Sequence, residues 1–278
     1  MDFLKYQGAG NDFVLFSNMD RSVKKYSELA RKICDRRFGV GADGLIAAEP
    51  SDTADVRMAF FNADGSEAGM RGNGIRCFAK FVMDHGIVTK DTFTVETGDG
   101  IKVLESLEKG EAESRFRVDM GPVPAFSQFD VAVDQDQIDG NDDIEEMQTA
   151  FTHFGVPHAV IVIDEPDAGM PALDRLAFRY GSYMEHAPVF APARTNVNFI
   201  RMISSDHIMV STWERGAGKT LACGTGACSS AAAAREYLGC GDMVRVTMPG
   251  GEVTVTFKDG RVFMEGSAGL TFRGSIDL

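Results

Sequence analysis

The 278-residue chain has no run of about 18 consecutive apolar residues, so no membrane-spanning helix and no membrane partner are expected. Its opening residues, Met1-Asp2-Phe3-Leu4-Lys5-Tyr6-Gln7, lack a basic stretch followed by an apolar one, which predicts a soluble, unexported protein. Basic residues are scarce: 28 Lys and Arg stand against 41 Asp and Glu, a formal net charge of −13. Phosphate backbones are held by basic stripes, so this balance argues against a nucleic-acid partner. The five cysteines, Cys34, Cys77, Cys223, Cys228 and Cys240, form an odd and sparse set, unlike the framework of a small secreted domain, and reduced thiols in a cytoplasm are expected. Metal-binding spacing is missing as well. His153 and His158 stand outside any His-Glu-x-x-His pattern, and Cys223 and Cys228 do not form Cys-x-x-Cys.

Two glycine-rich stretches invite a nucleotide and fall short. Gly8-Ala9-Gly10 followed by Asn11-Asp12-Phe13 is not a full dinucleotide fingerprint. Trp213-Glu214-Arg215-Gly216-Ala217-Gly218-Lys219-Thr220 ends like a phosphate-binding loop, but Trp213 stands where that loop requires glycine, and Gly224 and Gly226 interrupt the helix it should open. No cofactor and no metal are demanded.

What is present is an ordinary globular composition, 44% apolar and 25% charged, long enough for one large domain or two of about 140 residues. Glycine is in excess, 30 residues, as befits tight turns or backbone held close to a ligand. Strand-length runs with Gly, Pro, Asn or Asp at their ends occupy residues 56–61, 92–97, 115–120, 159–164, 198–203, 207–213, 252–257 and 269–276. Three helices are predicted. The first runs from a Ser27 cap to about Asp35 with Leu29, Ile33 and Cys34 inward. The second spans 73–85 with Ile75, Phe78, Ala79 and Val82 on one face, and the third runs from Thr225 to Leu238, stopped by Gly239. The acidic stretch 134–146 reads as a solvated loop or helix.

Met70-Arg71-Gly72-Asn73-Gly74-Ile75 can be laid over Ala222-Cys223-Gly224-Thr225-Gly226-Ala227, 152 residues later, and both lead into an apolar helix, so two related halves are expected. A Gly-x-Gly turn entering a helix leaves backbone N–H groups without intrahelical partners, clears side chains from their approach and adds the positive end of the helix dipole. Two such turns facing one another would hold a carboxylate. Cys223 lies just before the second turn, where a thiol tends toward thiolate and can act as base or nucleophile. Cys34, Cys77 and Cys240 read as small buried hydrophobes.

Several longer motifs then resemble the diaminopimelate epimerase family: Gly8-Ala9-Gly10-Asn11-Asp12-Phe13, Arg37-Phe38-Gly39-Val40-Gly41-Ala42-Asp43-Gly44, Phe61-Asn62-Ala63-Asp64-Gly65-Ser66-Glu67-Ala68, Gly72-Asn73-Gly74-Ile75-Arg76-Cys77, and the stretch from Trp213 to Cys228. Pro157-His158, Asn196-Val197-Asn198-Phe199 and Pro249-Gly250-Gly251 extend the likeness almost end to end. The resemblance implies an α/β fold of two similar domains, each a curved, mainly antiparallel sheet wrapped around a central helix. Expected boundaries are 1–120 and 121–262, with 263–278 returning to the first domain. It implies a cytoplasmic isomerase of lysine and amino-acid biosynthesis that acts without pyridoxal phosphate or metal on a small amino acid, and a homodimer. Two cysteines on opposite faces of the substrate Cα serve as base and acid in that family. By the same resemblance, Gly72, Asn73, Gly224 and Thr225 offer backbone donors to the substrate carboxylate. Asn62, Asn196 and Arg215 hold its far end, Glu214 contacts its amino groups or the thiol, and Asn11 and His158 line the cavity.

The chain departs from the family pattern at two telling places. Arg71 stands where the first catalytic cysteine is expected, and Val156 stands where an asparagine precedes Pro-His. Cys77 does not substitute, since the family carries a cysteine there too. A guanidinium, with a pKa above about 12, cannot serve as the missing acid, although its bidentate fork suits a carboxylate. Three readings follow: a diaminopimelate epimerase in the broad family sense, inactivated or altered, with Cys223 and Arg71 at the two catalytic positions; a related isomerase or racemase that uses Cys223 alone and lets Arg71 anchor a carboxylate or enolate of a small acidic substrate; and a ligand-binding relative without catalysis.

Overall fold

The computed structural model describes residues 1–138, 144–165 and 167–277. They divide into two compact units, residues 1–120 with the chain from Glu265 onward, and residues 121–264. The first unit carries β1 (Asp2–Gly8), β2 (Asn11–Ser17), α1 (Tyr26–Cys34), β3 (Gly44–Glu49), β4 (Val56–Asn62), β5 (Glu67–Ala68), α2 (Gly72–Asp84), β6 (Thr92–Thr97), β7 (Gly100–Glu108) and β8 (Glu113–Pro122). The second carries β9 (Ser127–Ala132), β10 (Glu146–Phe154), β11 (Val156–Val162), α3 (Met170–Glu185), β12 (Asn196–Ser204), β13 (His207–Glu214), β14 (Gly218–Lys219), α4 (Gly224–Tyr237), β15 (Met243–Met248) and β16 (Gly251–Lys258). The last strand, β17 (Arg261–Ser275), begins in the second unit and ends in the first.

In the first unit β1–β2, β3–β4, β6–β7 and β7–β8 pair antiparallel, whereas β2–β3 and β4–β6 are parallel, each joined through a helix. β17 pairs with β1 and with β8 and so closes the ring of strands. Helix α2 packs on β1, β2 and β3 and is buried at every residue from 72 to 82. Helix α1 packs on β3 and β4 through Leu29, Ala30, Ile33 and Cys34.

The second unit repeats this plan. β9–β10, β10–β11, β12–β13 and β15–β16 are antiparallel, and β11–β12 and β13–β15 are the parallel pairs, with α3 and α4 as their connections. Helix α4 packs on β10, β11, β12, β13, β15 and β16. Its buried residues are small, Ala231 to Ala234 among them, which lets backbone approach from all sides. Helix α3 lies on β12 and β13 through Leu173, Ala177, Tyr180 and Met184. Gly181 is required there, because a Cβ would come within 2.5 Å of Trp213.

Strand register makes the repeat explicit residue by residue. Phe13 pairs with Gly44 and Gly44 with Asn62. In the second unit His158 pairs with Asn196, which lies one residue beyond the Val197–Trp213 pair and so matches Glu214. Hence Phe13, Gly44 and Asn62 correspond to His158, Asn196 and Glu214. Two residues earlier on the equivalent strands, Asn11 corresponds to Val156, each the first residue of its strand.

The structure corrects several element boundaries. Helix α1 is not capped by Ser27, which lies in its first turn; Lys25 is the N-cap and makes no side-chain cap bond. Helices α2 and α4 start one residue early, at Gly72 and Gly224, because extended Arg71 and Cys223 take the N-cap positions. They also end one residue early, at Asp84 and Tyr237. Gly239, at φ 74°, supplies the left-handed stop expected of it. The one-faced pattern expected for α2 is replaced by burial on all sides. Within 134–146, Gln135–Gln137 forms a short 3-10 turn capped by Asp134, and Glu146 opens β10; Asp139, Asp142 and Asp143 lie outside the described residues.

Candidate functional site

Arg71 and Cys223, the paired residues of the repeat, are the N-cap residues of α2 and α4, both in extended backbone conformation. The first amides of each helix have no intrahelical carbonyl to which they can donate, so each helix start favours an anion.

In the first unit Arg71 Nη2 donates to Asn62 Oδ1 at 3.2 Å. Asn62 is held in turn at the end of β4, where its Nδ2 donates to Ser66 Oγ at 3.0 Å and its backbone N–H to Ser66 O. Asn73 Nδ2 donates to Asn11 Oδ1 at 3.4 Å, and Asn11 Nδ2 donates to Asp43 Oδ2. Behind Asn11 lies a compact set of charges: Arg36 Nη2 reaches Asp43 Oδ1 at 2.8 Å and Asp12 Oδ1 at 2.7 Å, and Lys5 Nζ lies 2.8 Å from Asp12 Oδ2. Burial works to raise the Asp12 pKa, but hydrogen bonds from Arg36 and Lys5 prevail and hold it at about 2. The fully buried Arg76 guanidinium donates to Gly72 O, Asn73 Oδ1 and Ser267 O, tying the first turn of α2 to β17.

In the second unit Cys223 Sγ accepts from Gly226 N at 3.4 Å and lies 3.6 Å from Thr225 Oγ1. The Gly226 N–H directed at the sulfur favours its anionic form, as does the helix start. A Cβ on Gly226 would lie 2.6 Å from Asn198 Oδ1 and 3.1 Å from Cys223 Cβ, so glycine is needed for this close packing. Asn196 spends its amide on the backbone: Oδ1 accepts from Arg215 N at 2.8 Å and Nδ2 donates to Pro157 O at 3.1 Å. Arg215 Nη1 donates to Ala193 O at 2.6 Å. The turn carrying Glu214 and Arg215 is fastened by buried Glu185, which accepts from Trp213 Nε1, Arg194 Nη1 and Gly216 N. His158 is completely buried, and burial, reinforced by His153 and Arg215, lowers its pKa to about 3, so the imidazole is neutral.

The stretch that mimics a phosphate loop is the hairpin between β13 and β14, with Gly216 and Gly218 at positive φ. Lys219 pairs with Asp174 of α3 at 3.0 Å, a structural use of its charge. Burial raises Cys34 and Cys77 to about 12, which fits inert packing thiols. Among the described residues no group of three His, Cys, Asp or Glu could hold a metal, and no helix is long and apolar enough to cross a membrane. Asp43, Glu185, Asn198 and Thr212 were not singled out from the sequence. Asp43 and Asn198 do lie inside motifs quoted above, which was their one signal.

A family model described as diaminopimelate epimerase matches residues 3–125 and 150–271. The diaminopimelate epimerases of Alkaliphilus metalliredigens and Desulfitobacterium hafniense are 42% and 41% identical, over 96% and 99% of this chain and 94% and 97% of theirs. Among solved structures, a PhzF-family phenazine biosynthesis protein of Bacillus anthracis matches with a TM-score of 0.74 at 14% identity, covering 100% of this chain and 99% of the other. A hydroxyproline epimerase from Agrobacterium vitis matches with a TM-score of 0.73 at 13% identity, covering 99% and 91%. At that identity these two speak to the fold alone.

Proposed function

The chain belongs to the diaminopimelate epimerase family and is an epimerase or racemase-type isomerase, and from that premise we propose that it works at the Cα of an amino acid with Cys223 as its one acid/base group and Arg71 as a carboxylate anchor. The observation that carries this reading is the asymmetry of the repeat. Cys223 and Glu214 correspond to Arg71 and Asn62, so the thiol and the carboxyl group at these positions belong to the second unit, and the first unit offers a guanidinium and an amide in their place. Cys223 as thiolate removes the Cα proton, exchanges it with solvent and delivers a proton back to the same face. The step it performs alone is therefore Cα hydrogen exchange with retention, and inversion is slow because no acid stands opposite. The amides of Gly72, Asn73, Gly224 and Thr225 bind substrate carboxylate and stabilise the charge that develops on it. Asn11, Asn62, Asn196, Glu214 and Arg215 bind the rest of the substrate, and His158 lines the site. The reaction calls for no pyridoxal phosphate and no metal. Reduced thiols suit work in the cytoplasm, and the assembly proposed is a homodimer.

A second reading, a one-base isomerase of a small acidic substrate other than diaminopimelate, is favoured by Val156. Its repeat counterpart, Asn11, offers an amide where Val156 offers none. Both readings are tested by incubating the protein in deuterium oxide with L- and D-amino acids, diaminopimelate included. Label should enter Cα with little or no inversion, and Cys223→Ala should abolish its entry. Rapid inversion with label in both enantiomers would overturn the one-base mechanism, and no exchange with any compound would leave a binding protein.

A further inference from the structure

The imidazole of His158 has only one hydrogen-bonding neighbour among the described residues, and that neighbour's orientation can be worked out from its other bonds. Asn198, on β12, contacts three groups: Ala159 O at 3.0 Å, His158 Nδ1 at 3.2 Å and Thr212 Oγ1 at 3.0 Å. A backbone carbonyl only accepts, so the amide nitrogen of Asn198 must face Ala159. That leaves Oδ1 to accept from the Thr212 hydroxyl. The second hydrogen of Nδ2 then points at His158 Nδ1, which has to accept it and cannot carry a proton. All four residues are buried, with Asn198 and His158 at 0% exposure, so water does not compete for these bonds.

We propose that Asn198 is a positioning residue, held by Thr212, that fixes His158 as the neutral tautomer protonated on Nε2. The consequence is a directed donor. Among the described residues His158 Nε2, which is buried, has no hydrogen-bond partner, and a buried N–H without an acceptor is costly. Such a donor suits an anionic or carbonyl oxygen of a ligand, so its use rests on the placing of His158 at the substrate site proposed above. The opposite tautomer would present a lone pair there and repel the same oxygen. The relay also reaches the acid/base residue by contact, since Asn198 Oδ1 packs against Gly226, whose N–H donates to Cys223 Sγ.

The test is long-range proton–nitrogen correlation NMR on ligand-free protein labelled with ¹⁵N-histidine, the His158 signals being assigned by their loss in His158→Gln. The expected wild-type spectrum shows Nδ1 unprotonated and Nε2 protonated. In Asn198→Asp the carboxylate can only accept, so the proton should appear on Nδ1, and kcat should fall about 10²-fold with KM changed far less, the scale seen when an aligned donor is removed. Thr212→Val, which leaves the Ala159 carbonyl in place, is the milder change and should keep the proton on Nε2. A wild-type signal with the proton on Nδ1, or an Asn198→Asp spectrum identical to wild type, would overturn the proposal even if that variant lost activity. The tautomer is read without substrate, so failure of the proposed function would appear separately, as a correct tautomer in a protein that exchanges no Cα proton.

Discussion

Arg71 donates to Asn62 at 3.2 Å, and the positions equivalent to this pair in the second unit hold Cys223 and Glu214. One half of the repeat thus offers a fixed cation and an amide where the other offers a thiol and a carboxyl group. The first prediction follows from that difference. Arg71→Cys restores a thiol at the α2 N-cap and should bring true inversion of configuration, about 10²-fold or more above wild type, the usual contribution of one positioned acid. Chiral chromatography of the product measures it; unchanged inversion would mean that the rest of the first half-site no longer supports the reaction.

Val156→Asn tests substrate choice. Asn11 shows what an amide does at this position of the repeat, and a buried charged head gains about 1–3 kcal/mol from a hydrogen bond it otherwise lacks. Calorimetry should find diaminopimelate binding tighter to the variant than to wild type by about tenfold. If wild type already prefers diaminopimelate to every smaller acid tested, the altered-substrate reading is wrong.

Gly226→Ala places a methyl group 2.6 Å from Asn198 Oδ1 and against Cys223. Overpacking of this kind costs about 1–3 kcal/mol, and here it also disturbs the donor to the sulfur. The variant should show a lower unfolding midpoint and slower Cα exchange, read by urea titration and deuterium incorporation. A variant as stable and active as wild type would show that α4 shifts freely, contrary to its close packing.

Acid stability should report on His158. Its folded pKa of about 3 lies below the unfolded value of about 6.5. Above pH 6.5 both states are neutral there and nothing depends on pH. As pH falls below 6.5 the unfolded chain takes up a proton that the folded protein refuses until about pH 3, so stability drops by up to about 1.4 kcal/mol per pH unit. His158→Gln should therefore lose less stability than wild type between pH 6 and 4 in paired urea titrations. Equal slopes would place the imidazole in contact with water.

The paired helix starts were legible because Gly-Asn-Gly and Gly-Thr-Gly carry a physical signature of their own. Helix α3 was not, although the same 152-residue offset that links Arg71 to Cys223 carries α1 onto it. Pro171, Gly181 and the exposed Phe178 blur its apolar periodicity. Strand β2 was hidden for a different reason: Phe13, Val14, Leu15 and Phe16 are all buried, so no alternation marks the strand. Buried Arg76 and Lys80 conceal how central α2 is, since sequence patterning sends such residues to solvent. At the site, residue identities could be read from motifs, but the occupation of Asn196 by backbone and the orientation of Asn198 depend on strand register, which no local pattern encodes.

The closing strand β17 sets an order of events during synthesis. Asp2 pairs with Ser275 and Gln7 with Gly269, so the strand ring of the first unit joins residues from opposite ends of the chain. A ribosome delivers β1 and β8 long before it delivers their shared partner, and until then both present open edges to any passing strand. The second unit, continuous in sequence except for that shared strand, can fold as it emerges. The half of the protein made first is therefore the half finished last, and nascent chains are exposed to mispairing in residues 1–120 rather than in the part that carries Cys223.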